Sequence, residues 1–285
     1  MRIVRFGPQG QERPGLLRGD GIVDLRALFP DIPDVGEAFF TDGWLEKLRT
    51  VDAPGEEMAV RIGCPVASPS KIICLGKNYA AHARETDGDV PRRPILFSKS
   101  ANALTGPFDP ILMPVSSKSV DWEVELAVVI GKKGKRIDRE AAFDFVAGYT
   151  VLNDVSGRDM QFTGGGQWFR GKSFDTFAPV GPALVTPDEI GPPEAVHGLG
   201  LQTLVNGEVM QDGNTRDFIF NIPDILADIS EDMTLLPGDI IATGTPAGVG
   251  FFRDPPITLK VGDVVECRVE KIGAIVNRVV EKAEG

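Results

Sequence analysis

A run near the middle of the chain reads Val120-Asp121-Trp122-Glu123-Val124-Glu125-Leu126-Ala127-Val128-Val129-Ile130. Successive side chains of a strand point to opposite faces, so the apolar residues at even positions predict one side that faces a core. Asp121, Glu123 and Glu125 fall together on the other side. Because Asp and Glu are poor strand formers, backbone preference does not explain a row of carboxylates there.

Two interpretations fit this row of carboxylates. A solvated strand face tolerates like charges, because water and salt screen their repulsion. A bound hard cation such as Mg²⁺, Mn²⁺ or Ca²⁺ would instead gather carboxylate oxygens and relieve that repulsion. On the run alone the solvated face is the simpler interpretation, and the cation site stays open.

Composition limits the classes of function. The chain has 285 residues, 42% hydrophobic and 25% charged, which is ordinary for a globular protein. Its formal net charge of −11 disfavours a nucleic-acid binder, which needs a basic surface against phosphates. The chain has no apolar run of membrane-spanning length, and its first residues lack a signal peptide's apolar stretch. We therefore expect a cytoplasmic protein with no membrane partner.

The cysteines and histidines restrict the kind of metal site. Cys64, Cys74 and Cys267 are odd in number and show no C-x-x-C spacing, so they read as small buried residues rather than as disulfides or zinc ligands. His82 and His197 are the only histidines and lie far apart in the sequence. Any metal must therefore be held mainly by oxygen.

The chain divides into a small first unit and a longer strand-rich unit. Residues 1–66 contain a hairpin signal around Gly19-Asp20-Gly21 and two short helical patterns, at residues 44–48 and 56–61. A connection rich in proline and serine follows at residues 64–70. We predict a small N-terminal α/β domain at residues 1–66 and a mainly β domain at residues 70–285.

Two stretches suggest chemistry without settling it. On a helix, His82 and Glu85 lie three residues apart on one face, the arrangement of an oriented general base or simply of a surface pair. Residues 166–173 match the phosphate-binding pattern G-x-x-x-x-G-K-[ST]. The prolines and glycine that follow prevent a long helix, and Trp168 and Phe169 are bulky where backbone would approach a phosphate. A nucleotide binder is therefore only a remote alternative.

Together, five motifs resemble the fumarylacetoacetate hydrolase superfamily in their expected order over residues 70–280: GKNYAAHARE at 76–85, DWEVE at 121–125, NDVSGRD at 153–159, RGKSFD at 170–175 and GTPAGVG at 244–250. The resemblance implies a rolled, mixed β-sheet fold with minor α structure, and a homodimer. It also implies a divalent cation, Mg²⁺ with Mn²⁺ or Ca²⁺ as alternatives, held by Glu123, Glu125 and Asp154.

The same resemblance assigns roles to further positions. His82 and Glu85 match the dyad that activates water, and Lys172 matches the catalytic lysine. The positions that match substrate contacts are Tyr79, Lys99, Arg158, Gln161 and Thr245.

These residues suit an enzyme that acts on a small 2-oxo or 2,4-dioxo acid. Water activated by His82 would attack the 4-carbonyl of an acylpyruvate, and the C3–C4 bond would break to release an acid and the enolate of pyruvate. We predict this C–C hydrolysis, with a 2,4-dioxo-3-deoxy sugar acid as the leading substrate. The alternatives at the same metal site are decarboxylation of an oxaloacetate-type substrate and isomerisation of a 2-hydroxy-dienoate.

Overall fold

Strands dominate the molecule, whose computed structural model describes residues 1–86 and 89–282. The strands in the first half are β1 (Arg2–Phe6), β2 (Arg13–Arg18), β3 (Gly21–Asp24), β4 (Ile62–Gly63), β5 (Ile72–Gly76), β6 (Ile95–Lys99), β7 (Leu104–Thr105), β8 (Ile111–Met113), β9 (Val120–Asp121) and β10 (Val124–Ile130). Those in the second half are β11 (Val146–Asn153), β12 (Ser156–Gly157), β13 (Ala178–Val185), β14 (Gly200–Val205), β15 (Glu208–Asn214), β16 (Ile240–Ala242), β17 (Val264–Val269) and β18 (Gly273–Glu281).

The helices are short. They are α1 (Leu25–Leu28), α2 (Glu37–Thr41), α3 (Trp44–Leu48), α4 (Ala80–Glu85), α5 (Arg158–Phe162), α6 (Trp168–Lys172), α7 (Pro187–Ile190) and α8 (Ile222–Ser230). Four 3₁₀ helices in the described ranges span Ala101–Ala103, Arg139–Phe145, Pro193–Gly198 and Thr215–Asp217. The prediction of a mainly β fold with minor α structure is confirmed. In the part of the chain that the structure describes, no helix is long and apolar enough to cross a bilayer.

The described strands form three sheets. An 11-stranded sheet runs in the order β3-β2-β1-β13-β11-β10-β16-β5-β6, with β4 paired to β1 and β7 to β13. A five-stranded sheet has the order β15-β14-β17-β18-β8, and β12 pairs with β9. Most pairs are antiparallel, whereas β16 and β5 run parallel. Because β10 lies inside the large sheet, hydrogen-bonded to β11 and β16, its backbone is fixed on both sides.

The strand β10 separates two apolar cores. Leu126 and Val128 belong to a core shared with Val265 and Ile275 of the five-stranded sheet. Ala127 and Val129 point to the opposite face, into a core shared with α1, α2 and α3. Every residue from 120 to 130 is buried, so the strand is buried on both faces. The solvated strand face is therefore wrong, because the carboxylates lie inside the protein.

The first 66 residues continue the large sheet. Strand β1 pairs with β13 through Arg2 opposite Val185 and Ile3 opposite Leu184. The predicted helix at residues 44–48 is present as α3, but residues 56–61 are not helical. Instead, Glu56 forms an antiparallel bridge with Ile22, and each backbone amide donates to the other residue's carbonyl oxygen. The division into domains at 1–66 and 70–285 stays a prediction.

Three local features follow from the sequence, and the state of the cysteines is as predicted. Asn206 and Gly207, with φ of 52° and 84°, form the tight turn between β14 and β15. Helix α8 begins with a capping box between Asn221 and Asp224, which satisfies two backbone amides at its N-terminus. The three cysteines are free and buried.

Candidate metal centre and active site

Three carboxylates meet where β10 begins and β11 ends. Val124 pairs with Asn153 across the two strands. Just beyond them, the amide of Asp154 donates to the carbonyl oxygen of Glu123 at 2.8 Å. One carboxylate oxygen from each of Glu123, Glu125 and Asp154 lies within 4.8 Å of the others. This acidic triad is 4%, 1% and 0% exposed, respectively, so its charges are removed from water.

Three buried cations contact the acidic triad or its neighbours. The Nζ atom of Lys172 donates to Glu123 Oε2 and to Asp154 Oδ2, both at 2.6 Å. The Nζ atom of Lys99 donates to Asp154 Oδ1 at 2.6 Å. Arg158 Nη2 donates to Glu123 Oε1 at 2.6 Å. Both Glu123 and Asp154 are therefore neutralised by charge-assisted hydrogen bonds.

Glu125 is the member of the acidic triad that forms no ion pair within residues 1–86 and 89–282. Its Oε2 accepts a hydrogen bond from the amide of Gly244 at 2.7 Å. Burial raises the pKa of Glu125 well above its ordinary value, and the charges of Asp154 and Glu123 raise it further. Burial also acts to raise the pKa of Glu123, but Lys172 and Arg158 outweigh it and hold that pKa far below its usual range.

The charge balance of this buried cluster leaves negative charge that a bound cation would offset. Four carboxylates, including Asp121, face three cations, which leaves one net negative charge when every carboxyl is ionised. Buried carboxylate oxygens are the ligands that Mg²⁺, Mn²⁺ and Ca²⁺ prefer. The acidic triad therefore fits a hard divalent cation, with Glu125 as the ligand whose proton the cation would replace.

A histidine–glutamate pair lies beside the acidic triad. His82 and Glu85 share one face of α4, and His82 Nδ1 lies 2.9 Å from Glu85 Oε2. The other carboxylate oxygen of Glu85 accepts a hydrogen bond from the amide of Gly248 at 2.9 Å. Since a carboxylate accepts, Nδ1 carries the hydrogen and Nε2 presents its lone pair. His82 is 6% exposed, so the pair is not a surface ion pair.

One cavity connects the triad and the histidine–glutamate pair. The predicted site residues that line it are His82, Glu123, Glu125, Arg158, Gln161, Lys172 and Thr245. Glu85, Asp154 and Lys99 support these residues through the hydrogen bonds given above. The structure thus brings together the predicted metal ligands, the predicted dyad and the predicted lysine. The role of each residue stays a prediction.

Three predicted substrate contacts are less accessible than expected. Lys99 does not line the cavity, and its ammonium group is bound to Asp154. The ring of Tyr79 packs edge-on against Phe218 with centroids 5.1 Å apart, and the residue does not line the cavity. Its buried hydroxyl has no hydrogen-bond partner in the described part of the chain. The hydroxyl of Thr245 donates to the carbonyl oxygen of Val124 and accepts from Gln211 Nε2, at 2.9 and 2.8 Å. Thr245 therefore has no proton left to donate to a substrate.

Sequence reasoning missed three parts of the site. Gln211 holds Thr245 in place, the amide of Gly248 holds Glu85, and aromatic side chains form an apolar wall of the cavity. The aromatic residues of this wall are Phe97, Phe162, Trp168 and Phe252. Trp168 packs on Phe97 with ring centroids 5.1 Å apart. For Trp168, the available signal was a bulky aromatic residue within the glycine-rich stretch at residues 164–171.

The phosphate-loop alternative is wrong for residues 166–173. Helix α6 has only five residues, and α5 rather than a buried strand precedes it. Lys172, the residue that would reach a phosphate, is bound to Glu123 and Asp154. The stretch therefore contributes Lys172 to the acidic cavity and does not form a phosphate-binding loop.

Comparisons with known proteins agree with this geometry. The family model described as fumarylacetoacetate (FAA) hydrolase C-terminal matches residues 71–280. The oxaloacetate tautomerase Fahd2a, mitochondrial, of Rattus norvegicus is 46% identical over 290 residues, which cover 98% of this chain and 92% of the rat protein.

Solved structures also match over nearly the whole chain. A fumarylacetoacetate hydrolase from Exiguobacterium antarcticum has a TM-score of 0.82 at 37% identity, covering 99% of this chain and 100% of that one. The 5-carboxymethyl-2-hydroxymuconate delta-isomerase from Mycobacterium smegmatis has a TM-score of 0.78 at 36% identity, with both chains fully covered. The predicted rolled, mixed-sheet fold is confirmed by these neighbours.

One prediction is overturned by the comparisons. We expected a cytoplasmic protein, but the rat relative is a mitochondrial protein, which points away from a purely cytoplasmic location. The expectation relied on the absence of a membrane span and of a secretory signal. Neither feature distinguishes the cytosol from the interior of an organelle, since both are aqueous and lack a bilayer.

Proposed function

This chain belongs to the fumarylacetoacetate hydrolase family, and we propose that it is a divalent-metal-dependent tautomerase of oxaloacetate or a similar 2-oxo dicarboxylic acid. The observation that carries the proposal is one oriented base facing one acidic triad, in a chain 46% identical over 98% of its length to an oxaloacetate tautomerase. The proposal keeps oxaloacetate as the substrate but assigns tautomerisation in place of the decarboxylation considered from the sequence, and it ranks ahead of acylpyruvate hydrolysis.

Glu123, Glu125 and Asp154 would hold the cation, Mg²⁺ or alternatively Mn²⁺ or Ca²⁺. When bound, the cation supplies positive charge that favours the enolate of a 2-oxo acid.

The proton transfer is assigned to His82. Tautomerisation moves one proton between C3 and the oxygen on C2, with no net gain or loss. His82 Nε2 takes the proton from C3, and the Glu85 carboxylate stabilises the imidazolium that forms. The imidazolium then returns the proton to the C2 oxygen, which gives the enol. One base therefore suffices for the whole reaction.

Lys172 is assigned an electrostatic role. Burial alone would lower the pKa of Lys172, but Asp154 and Glu123 outweigh it and raise that pKa above its ordinary value. An ammonium held this firmly keeps its proton. Lys172 therefore stabilises negative charge on the substrate oxygen by donating a hydrogen bond, and it leaves proton transfer to His82.

The chemistry of oxaloacetate favours tautomerisation over hydrolysis. Hydrolysis requires water to attack a carbonyl at C4, whereas C4 of oxaloacetate is a carboxylate, which resists nucleophiles. Tautomerisation needs only the C3 proton and a stabilised enolate. The same residues would serve both reactions, so the substrate rather than the base decides the outcome.

The test follows the enol form of oxaloacetate by its ultraviolet absorbance. Metal-free protein is compared with protein supplied with Mg²⁺ or Mn²⁺. We expect metal-dependent acceleration of ketonisation without release of CO₂. Metal-dependent release of CO₂ and pyruvate would instead identify a decarboxylase, and formation of pyruvate plus a second acid from an acylpyruvate would identify a hydrolase.

The two histidines of the chain provide a matched control. His82→Asn should remove the acceleration, while His197→Asn should retain it. His197 lies outside the cavity and accepts a hydrogen bond from the amide of Ile222 at 3.3 Å. Equal loss in both variants, or no acceleration by the wild-type protein with either metal, would contradict the proposal.

A further inference from the structure

Asp121 is a fully buried carboxylate that the proposed chemistry does not use. The alternation of residues 120–130 placed it beside Glu123 and Glu125, but it is not part of the acidic triad. The strand breaks after Asp121, since β9 ends there and β10 begins only at Val124. Asp121 is 0% exposed, so a purely incidental charge at this position would be costly.

Asp121 has polar contacts with Arg158, with the backbone at residues 250–251 and with the amide of Trp122, which donates to Oδ1 at 2.9 Å. Its Oδ2 accepts from Arg158 Nε at 2.9 Å and lies 2.8 Å from Nη2 of the same residue. The two oxygens also accept from the amides of Gly250 and Phe251, at 2.7 and 3.1 Å. Asp121 therefore connects α5, which carries Arg158, to the end of the glycine-rich loop at residues 244–250.

The guanidinium of Arg158 is held on most of its surface. Asp121 contacts the edge that carries Nε and Nη2, and Nη2 also donates to Glu123 Oε1 at 2.6 Å. The ring of Phe252 lies 5.7 Å from the guanidinium carbon. Among the described residues, Nη1 is the guanidinium nitrogen that contacts no carboxylate, and its partner is Gln161 Oε1 at 3.1 Å. Both Arg158 and Gln161 line the cavity.

We propose that Asp121 is a positioning residue that fixes the orientation of Arg158, so that Nη1 is presented to a carboxylate of the substrate. A guanidinium has five donors in a rigid fork, and two carboxylates held on one edge leave the opposite edge for a ligand. Without Asp121, the guanidinium group of Arg158 rotates so that its donors bind Glu123, and Nη1 moves out of the cavity. The substrate part of this inference rests on the proposed function.

The test is a double-mutant cycle on Asp121 and Arg158. For Asp121→Asn, we expect KM for oxaloacetate to rise about 10- to 100-fold, the range for loss of a supporting partner, while kcat stays within about threefold. In an Arg158→Gln background the same change should alter KM less than about twofold. Calorimetry should show the same pattern for the affinity of the Mn²⁺-loaded protein for oxalate. Asp121→Asn should weaken it in the wild-type background and change it little in the Arg158→Gln background.

Asp239→Asn is the matched control. Asp239 is also a fully buried aspartate, and it accepts hydrogen bonds from the amides of Lys71 and Leu236 outside the cavity. This variant should lower thermal stability and leave KM unchanged. Should Asp121→Asn fail to fold, Asp121→Ser also removes the carboxylate from Arg158 and should show the same rise in KM.

The outcomes separate the two proposals. If wild-type protein does not accelerate ketonisation, the proposed function fails, and the oxalate cycle still reports on Asp121. If wild-type protein is active but Asp121→Asn lowers kcat alone, or shifts KM equally with and without Arg158, then Asp121 is merely structural and the inference is wrong.

Discussion

Replacement of Glu125 by glutamine should affect the metal-free and metal-loaded protein in opposite ways. The carboxyl of Glu125 forms no ion pair within the described residues, and the amide of Gly244 donates to it at 2.7 Å. Glutamine keeps an oxygen for that amide and has the shape of the protonated acid. The variant should therefore fold as well as the metal-free wild type, yet lack one ligand for the cation.

The magnitude follows from the raised pKa of Glu125, which is due to burial and then to Asp154 and Glu123. A folded-state pKa above the unfolded value means that this contribution to stability is fully present below about pH 4.3 and is lost as pH rises through the folded pKa. Between about pH 4.3 and the folded-state pKa, the free energy of unfolding of the metal-free wild type should fall by about 1.4 kcal/mol per pH unit relative to Glu125→Gln. Binding of the cation should release about one proton.

The assay is urea unfolding at several pH values with a chelator present, together with Mn²⁺ titration by calorimetry. Loss of a carboxylate ligand should weaken Mn²⁺ binding by more than about 100-fold, since even a lost outer-shell partner costs about 10- to 100-fold. Proton release is measured by repeating the titration in buffers of different ionisation enthalpy.

Glu12→Gln is the matched control for this prediction. Glu12 is another buried glutamate, but it accepts from Arg61 Nη1 at 2.7 Å. Burial acts to raise the pKa of Glu12, and Arg61 outweighs it and lowers that pKa. The control should lose about 1–3 kcal/mol of stability above about pH 5 and bind Mn²⁺ normally. Wild-type Mn²⁺ affinity in Glu125→Gln would contradict this prediction, and so would a metal-free variant that loses stability with pH as steeply as the wild type.

Three further substitutions test separate parts of the site and fold. His82→Ala should lower kcat about 10²- to 10⁴-fold and leave Mn²⁺ affinity within about threefold, so parallel loss of both would contradict its role as base. Gly248→Ala places a Cβ 2.2 Å from the carbonyl oxygen of Met210, at a φ of +106°, and so moves the amide that holds Glu85. We expect kcat to fall at least about tenfold with metal affinity retained; an unchanged kcat would show that the amide is dispensable. Asn221→Ala should lower the free energy of unfolding by about 1 kcal/mol in thermal denaturation. An unchanged Tm would show that the helix cap does not contribute to stability.

The sequence predicted the strand and its apolar face well, because the alternation of side chains is a local property. The alternation also placed Asp121 on the same side as Glu123, and both carboxylates contact Arg158 Nη2, at 2.8 and 2.6 Å. The alternation did not show that the strand is interrupted at residues 122–123, or that Asp121 lies outside the acidic triad. The alternation pattern also could not predict that the carboxylates are buried, because their burial depends on the sheets and helices that cover both faces of β10.

Contacts between distant segments limited the other predictions. Asp154 joins Glu123 through the register of β10 and β11, which residue order alone does not give. Only the family resemblance linked them. The helix predicted at residues 56–61 was wrong because pairing of Glu56 with Ile22 overrides local helix preference. The sequence also could not separate hydrolysis from tautomerisation, since both reactions require the same base and cation.

The most direct measurement of the central claim is anomalous diffraction from a crystal soaked in Mn²⁺. The account predicts one strong peak between Glu123, Glu125 and Asp154, about 2.0–2.6 Å from a carboxylate oxygen of each, on the side that faces His82 across the cavity. The absence of a peak there, or a peak that only one of the three carboxylates contacts, would contradict it.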